Sequence, residues 1–205
     1  MSVEKGVPWG APGPLPDGAV LVHSDAEARE VLEDSRLRRE DFPTIGLLGG
    51  DLCRTLGGRG DEARIRGGAV TLATVDVGEV LLDGRVRFFV AHAVVRGSSW
   101  WRGELVAAMN AQYLGRWDVA PRAHPGDGLL EVFEVAGSMG VGERWKAWRR
   151  LPSGTHVPHP AIAVRRVPAV QVDVGGRQVW LDGVRLDPAD ALSIRLRPDA
   201  LQIAV

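Results

Sequence analysis

Asp127 stands between two glycines in the stretch His124-Pro125-Gly126-Asp127-Gly128, directly before the run LLEVFEV. A carboxylate in such a turn has two uses. It can accept hydrogen bonds from nearby backbone amides and so set the turn. It can also give one oxygen to a hard cation, with backbone carbonyls supplying further ligands, the donor set that magnesium and calcium prefer. A second stretch, Gly49-Gly50, precedes a short helical pattern. The free N–H groups at a helix start can hold an anion, and a Gly-Gly that ends a strand also serves as a plain turn. His156 and His159 have a metal-like spacing, but Pro158 and Pro160 stiffen the segment and no carboxylate lies close in sequence. Cys53, the single cysteine, excludes an intramolecular disulfide and a cysteine-built zinc site. It reads as a small buried residue. Arg59-Gly60-Asp61 matches an adhesion tripeptide by coincidence. Residues 142–154 combine Arg144, Lys146, Arg149 and Arg150 with Trp145 and Trp148, which share a helical face. This composition suits an anionic membrane surface, or a helix that packs its tryptophans inward. Trp100-Trp101 either lines an apolar pocket or covers a sheet edge.

These groups need a scaffold, and 205 residues are enough for a real core. The net charge of −1 argues against a dedicated nucleic-acid binder. No apolar run approaches the roughly 20 residues of a spanning helix, so the expected setting is cytoplasmic, with peripheral membrane contact as the variant. Residues 1–18, rich in proline and glycine, read as a flexible arm. Next come a strand over 19–22, a helix over 26–37 capped by Asp25, a strand over 44–48 and a short helix over 51–56. This is a reduced α/β unit spanning 19–57. From about residue 58 the texture is β-branched and aromatic. Strands are expected over 70–77, 80–82, 86–95, 105–113, 129–135, 162–167, 170–174, 179–181, 192–196 and 201–205, with turns at Asp83-Gly84 and Gly175-Gly176. One helix, 142–151, interrupts them. The fold class is therefore α+β, mainly an antiparallel β-sandwich over 58–205 with a small N-terminal α/β remnant.

Residues 110–131, NAQYLGRWDVAPRAHPGDGLLE, resemble a stretch of the bacterial diacylglycerol/lipid kinase family, within the NAD kinase/diacylglycerol kinase-like superfamily. That family has an Asn-containing strand, a Gly, an Ala-Pro and a loop ending Asp-Gly-Leu-Leu-Asp. Asn110, Gly115, Ala120, Pro121, Asp127, Gly128, Leu129 and Leu130 fit this order, and Glu131 stands where Asp is common. SGTHVPHPAIAVRRVPAVQV is similar to the family's Gly-x-His segment. GLLGGDLCRTLGG is similar to its Gly-Asn-Asp-Leu-Ala-Arg-Thr-Leu-Gly segment, and the last 27 residues to its closing Asp-Gly-Glu turn and terminal strands. The resemblance covers about residues 45–205. It implies a magnesium loop formed by Asp127 with the backbone carbonyls of His124 and Leu129. It also implies phosphate or ligand contacts from Gly49, Gly50, Asp51, Arg54 and Asn110.

Two parts of such a kinase are missing from the sequence. The Gly-Gly-Asp-Gly-Thr loop that holds ATP phosphates with backbone amides has no counterpart, and no Walker pattern occurs. The family's Asp-Gly-Glu supplies the general base, yet here Asp182-Gly183 is followed by Val184. A valine accepts no proton, and losing a base costs roughly a hundredfold to ten-thousandfold in rate. Asp182 is the one nearby candidate to replace it. The expectation is a degenerate family member that binds a lipid-like or phosphorylated ligand between its two parts, with magnesium as the plausible cofactor and ATP doubtful. The rivals are a working lipid kinase and a scaffold that pairs with another chain, a second copy included.

Overall fold

The computed structural model describes residues 10–205. In chain order these form β1 (Gly10–Gly13), β2 (Val20–Val22), α1 (Asp25–Arg38), β3 (Ile45–Leu47), α2 (Gly50–Thr55), α3 (Glu62–Arg66), β4 (Val70–Leu82), β5 (Arg85–Phe89), β6 (His92–Arg96), β7 (Leu105–Met109), β8 (Tyr113–Leu114), β9 (Trp117–Asp118), β10 (Leu130–Val135), α4 (Val141–Arg150), β11 (Ile162–Val167), β12 (Ala169–Asp173), β13 (Gln178–Leu181), β14 (Val184–Arg185) and β15 (Ala191–Ala204). The expected class is borne out: strands dominate, mostly antiparallel, in two principal sheets. The first sheet runs β1-β4-β15-β3-β2, with β12 added on β15 and β5 on β4. The second runs β11-β10-β7-β6-β13-β14. Of the expected arm, residues 1–9 lie outside the described residues. Gly10–Gly13 is no free arm but an edge strand, with Gly10 opposite Ala73.

The long strands β4 and β15 pair along most of their length, and each serves two cores. Val80, Leu82, Leu192 and Ile194 face the second sheet, where Leu130, Val132, Val179 and Leu181 complete the sandwich core. Val75, Val77, Leu201 and Ile203 instead meet Leu32 of α1, Leu52 of α2 and Ile45 and Leu47 of β3. The register of β15 shifts between Arg197 and Leu201, at the change from one core to the other. The expected breaks within 70–82 and 192–205 are therefore continuous strand. Gly78 looked like an interruption, but it is a packing position. A Cβ there would sit 2.1 Å from the Phe89 ring, which covers the strand at that point.

The opposite error occurs at 86–95, which reads as one apolar run. Here β5 belongs to the first sheet and β6 to the second, and the chain crosses between them at Val90-Ala91. The run 105–113 likewise stops at Met109, and Asn110 turns inward. The helix at 25–38 is capped by Ser24, whose Oγ accepts from the Glu27 amide, rather than by Asp25. Asp25 has another task, described below. On the outer face of the second sheet, Leu105, Ala107, Met109, Phe133 and Val94 make a third apolar layer, covered by the β8–β9 hairpin and the region of α4. No helix of the described residues is long and apolar enough to cross a membrane.

Candidate functional site

Asp182, in the turn between β13 and β14, has a left-handed φ of 49°. Its carboxylate accepts from the amides of Val90 and Ala91 at 2.9 Å and of His92 at 3.1 Å. It therefore pins the point where the chain passes between sheets. Burial raises its pKa, against the opposing pull of His92 and the three amides. His92 Nε2 lies 3.1 Å from Asp51 Oδ2, and the same carboxylate oxygen accepts from the Gly115 amide at 2.9 Å. Burial disfavours the His92 cation, but the bond to Asp51 and the charges of Asp182, Asp51 and Asp25 outweigh it and raise its pKa. Asp51 moves the other way: burial would raise it, yet the bonds from His92 and Gly115 hold it below the usual carboxylate range.

The carboxyl group of Asp25 occupies the start of α2. Its carboxylate accepts from the Asp51 amide and, at 3.1 Å, from the Leu52 amide. A Cβ on Gly50 would lie 2.4 Å from Asp25 Oδ1, so glycine is required for this approach, and Gly50 also has φ of 94°. Gly49 packs equally closely, its Cβ position lying 2.4 Å from the His23 carbonyl oxygen. Burial, then the Asp182 charge, push Asp25 up to about 7. Arg54 donates to the Gly115 carbonyl at 2.8 Å and rests on the Tyr113 ring. Asn110 donates to the Asp76 and Val90 carbonyls inside the core. The five residues expected to contact a phosphate thus make internal contacts: Asp51 and Arg54 fasten the β8–β9 hairpin to α2. Val184 lies exposed on β14 at one edge of the second sheet, whereas Asp127 precedes β10 near the other edge.

In the glycine-rich turn, Asp127 Oδ1 accepts from the Leu129 amide at 3.0 Å, and Oδ2 is paired with the Arg166 guanidinium. The His124 carbonyl accepts from the amides of Gly126 at 2.8 Å and Asp127 at 3.2 Å. Asp76, almost fully buried, accepts from Gly128 at 2.7 Å. The three positions expected to hold magnesium do sit in one turn, but they do not fit the ion as they stand. Both Asp127 oxygens are engaged, and a cation already faces one of them. Among the described residues no three His, Cys, Asp or Glu side chains group to hold a metal. His159 Nδ1 accepts from the Ala161 amide, and His156 sits apart from it against Phe133, its pKa lowered by burial. Cys53 is buried, and Asp61 of the Arg-Gly-Asp triplet caps α3.

An apolar cavity of about 250 Å³ opens beneath α4, on the outer face of the second sheet rather than between the sandwich and the α/β unit. Ala107 and Phe133 are in its wall on the sheet side, Ala147 and Trp148 on the helix side, and Trp100, Trp101 and Trp117 along the loops. The tryptophan pair is therefore part of a pocket wall. Arg144 also lines it, but its guanidinium donates to the carbonyls of Met139, Trp100, Gly103 and Ala136, pinning α4 to the neighbouring loops. Around this region Trp145 is 47% exposed, and Arg149 and Arg116 stack on Trp145 and Trp148. Sequence reasoning missed Asp25, His92, Arg166 and Trp117 as members of these sites. No local motif marks them, because strand register and helix packing bring them in.

The family model for the YegS C-terminal NAD kinase beta sandwich-like domain matches residues 63–205. No curated protein matches the sequence. Among solved structures, a diacylglycerol kinase from Bacillus anthracis str. Sterne is similar over 90% of this chain and 75% of its own, with a TM-score of 0.62 and 18% identity. Two structures of putative diacylglycerol kinases from the same strain match over 90% of this chain and 77% of theirs, with TM-scores of 0.67 and 0.64 and identities of 15% and 16%. At such identities the likeness is one of fold. With most of the sandwich inside the match, the chain belongs to the YegS C-terminal NAD kinase β-sandwich-like family, as the order of its motifs led us to expect.

Proposed function

We propose that this protein binds a lipid-like molecule in the cavity beneath α4, at an anionic membrane surface, and transfers phosphate feebly or not at all. The cavity carries the reading. Its wall is almost wholly hydrocarbon and aromatic, and every 100 Å² of apolar ligand surface placed there is worth roughly 2.5 kcal/mol. Its volume is near the lower end for ligand pockets, roughly 300 Å³, so it suits one acyl segment or ring rather than a whole two-chain lipid. Trp100, Trp101, Trp145 and Val141 are exposed beside it. Arg102, Lys146, Arg149 and Arg150 are exposed in the same loop and helix. Apolar anchors among basic groups favour an anionic interface.

Phosphoryl transfer needs a nucleotide clamp and a base. Val184 offers neither proton acceptor nor charge. Asp182 is spent on three amides, and Asp25 takes the donors at the start of α2. These commitments support weak or absent turnover and disfavour a bound ATP.

Among the described residues four tryptophans line the cavity, so intrinsic fluorescence reads occupancy. Vesicles of phosphatidylglycerol with brominated acyl chains should quench it saturably, and phosphatidylcholine vesicles should do so weakly. Failure of both to quench would overturn the lipid reading. Steady magnesium- and ATP-dependent phosphorylation of diacylglycerol would overturn the reading of feeble transfer.

A further inference from the structure

We infer that the Arg166 guanidinium is a built-in substitute for a divalent cation at the 124–129 turn, which therefore holds its shape without metal. Arg166 lies directly opposite Glu131 in the β10–β11 pairing, so both side chains project on the same face of the sheet. From there Arg166 reaches Asp127 Oδ2. Glu131 is 4% exposed, and its Oε2 has no hydrogen-bond partner among the described residues. Asp76 is 1% exposed and bonded to the amides of Gly128 and Asp199. Asp127 thus lies within electrostatic reach of two buried carboxylates, and its charge raises the pKa of each. Carboxylates so placed raise one another's pKa unless a cation offsets their charge.

The cation that stands there belongs to the chain. Burial raises the pKa of Glu131, while a hydrogen bond from the Arg122 amide and the charges of Arg166 and Arg122 pull it back. A guanidinium keeps its charge at every relevant pH and presents a planar fork of donors to carboxylate oxygens. Magnesium instead demands about six oxygens at about 2.1 Å and loses its water reluctantly. Asp127 Oδ2 cannot serve both, because two cations on one oxygen repel. The His124 carbonyl, turned onto the amides of Gly126 and Asp127, is also already satisfied. The inference concerns this turn alone and stands whether or not the cavity holds lipid.

The test is thermal unfolding of chelator-treated protein with and without millimolar MgCl2, and titration with Mn2+ followed by its electron paramagnetic resonance. The wild type should show the same midpoint in both media and no tight Mn2+ site. Arg166→Gln should lower the midpoint by about 2–4 °C, and magnesium should restore most of that loss. Arg166→Lys should retain more of the midpoint than Arg166→Gln and gain less from magnesium. Adding Asp127→Asn to Arg166→Gln should abolish the recovery. A wild-type midpoint that rises with magnesium, and no longer does so in Asp127→Asn, would overturn the inference. An Arg166→Gln protein that is as stable as wild type, or destabilised but indifferent to magnesium, would also overturn it, leaving an ordinary ion pair.

Discussion

The outer face of the second sheet is polar at one end of its strands and apolar at the other. Arg166, Glu131, Met109 and His92 are successive cross-strand neighbours, and Asp182 follows, its backbone N–H donating to the His92 carbonyl. Two residues along, about 7 Å away, the next row contains Phe133, Ala107 and Val94, of which Phe133 and Ala107 face the cavity. At the polar end, charged groups meet partners from the chain: Arg166 meets Asp127, His92 meets Asp51, and Asp182 meets three amides. At the apolar end, space is left. The physics of the two ends differs. A buried charge without a partner is so unfavourable that it must be met from within or neutralised. Uncovered apolar wall carries a penalty of only about 25 cal/mol per Å², so a cavity can stay open for a ligand. Buried polar groups close on one another, whereas an apolar hollow persists.

The comparison breaks most visibly if Asp182 is not the pin of the polar end. Asp182→Ala should leave three buried amides without an acceptor, at about 1–3 kcal/mol each, for a total loss on the order of 3–5 kcal/mol in urea unfolding. Asp182→Asn tolerates the left-handed backbone and keeps one acceptor oxygen, so it should lose about half as much. Equal stability of all three proteins would remove the contrast between the two ends. Next in size is the proposed membrane contact of α4. Each basic group near an anionic surface is worth about 1 kcal/mol. Arg149→Glu with Arg150→Glu should therefore weaken vesicle binding at least about 30-fold in a sedimentation assay, with at most a small fall in the unfolding midpoint. Ala147→Trp, which inserts an indole into the cavity, should reduce brominated-lipid quenching at least tenfold and shift stability by about 1 kcal/mol or less. If this variant binds as well as wild type, the ligand lies elsewhere.

The apolar end was far more legible in the sequence than the polar end. Strands announce themselves locally, through runs such as LLEVFEV and turns such as Asp83-Gly84, and the sandwich follows from their number. The tryptophans of the 98–103 loop and of α4 were singled out for the same reason. Errors of continuity had identifiable causes. Gly78 is a glycine because Phe89 lies on it, not because the strand ends. The run 86–95 is uniformly apolar because both of its halves are buried, although in different sheets. The polar end was hidden because its partners are far apart in sequence. Asp25 reaches α2 across 26 residues and Asp182 reaches Val90 across 92. Arg166 and Glu131 become neighbours only through a register that residue types do not specify.

The smallest effect concerns the proton shared at the polar end, where Asp25 of α1, Asp51 of α2, His92 of β6 and Asp182 of the β13–β14 turn face one another. Asp25 sits near 7 through burial and the Asp182 charge, well above an unfolded carboxylate at about 3.9. The folded state therefore binds this proton more tightly than the unfolded chain, and the contribution of Asp25 declines as pH rises from about 4 to about 7. His92 is also raised, so its contribution is complete below about 6.5 and fades above that. Asp51, held low, acts in the opposite sense but only in acid. Unfolding free energy should fall as pH rises from about 4 to about 8, by at least about 1 kcal/mol, with the Asp25 limb at the acid side and the His92 limb above it. Asp25→Asn should flatten that slope on its acid side and leave the His92 limb in place. An unchanged slope in the variant would mean that Asp25 stays ionised and caps α2 as a full charge, with His92 alone holding the proton. The polar end would then be closed by an ion pair and an anionic cap rather than by a shared proton.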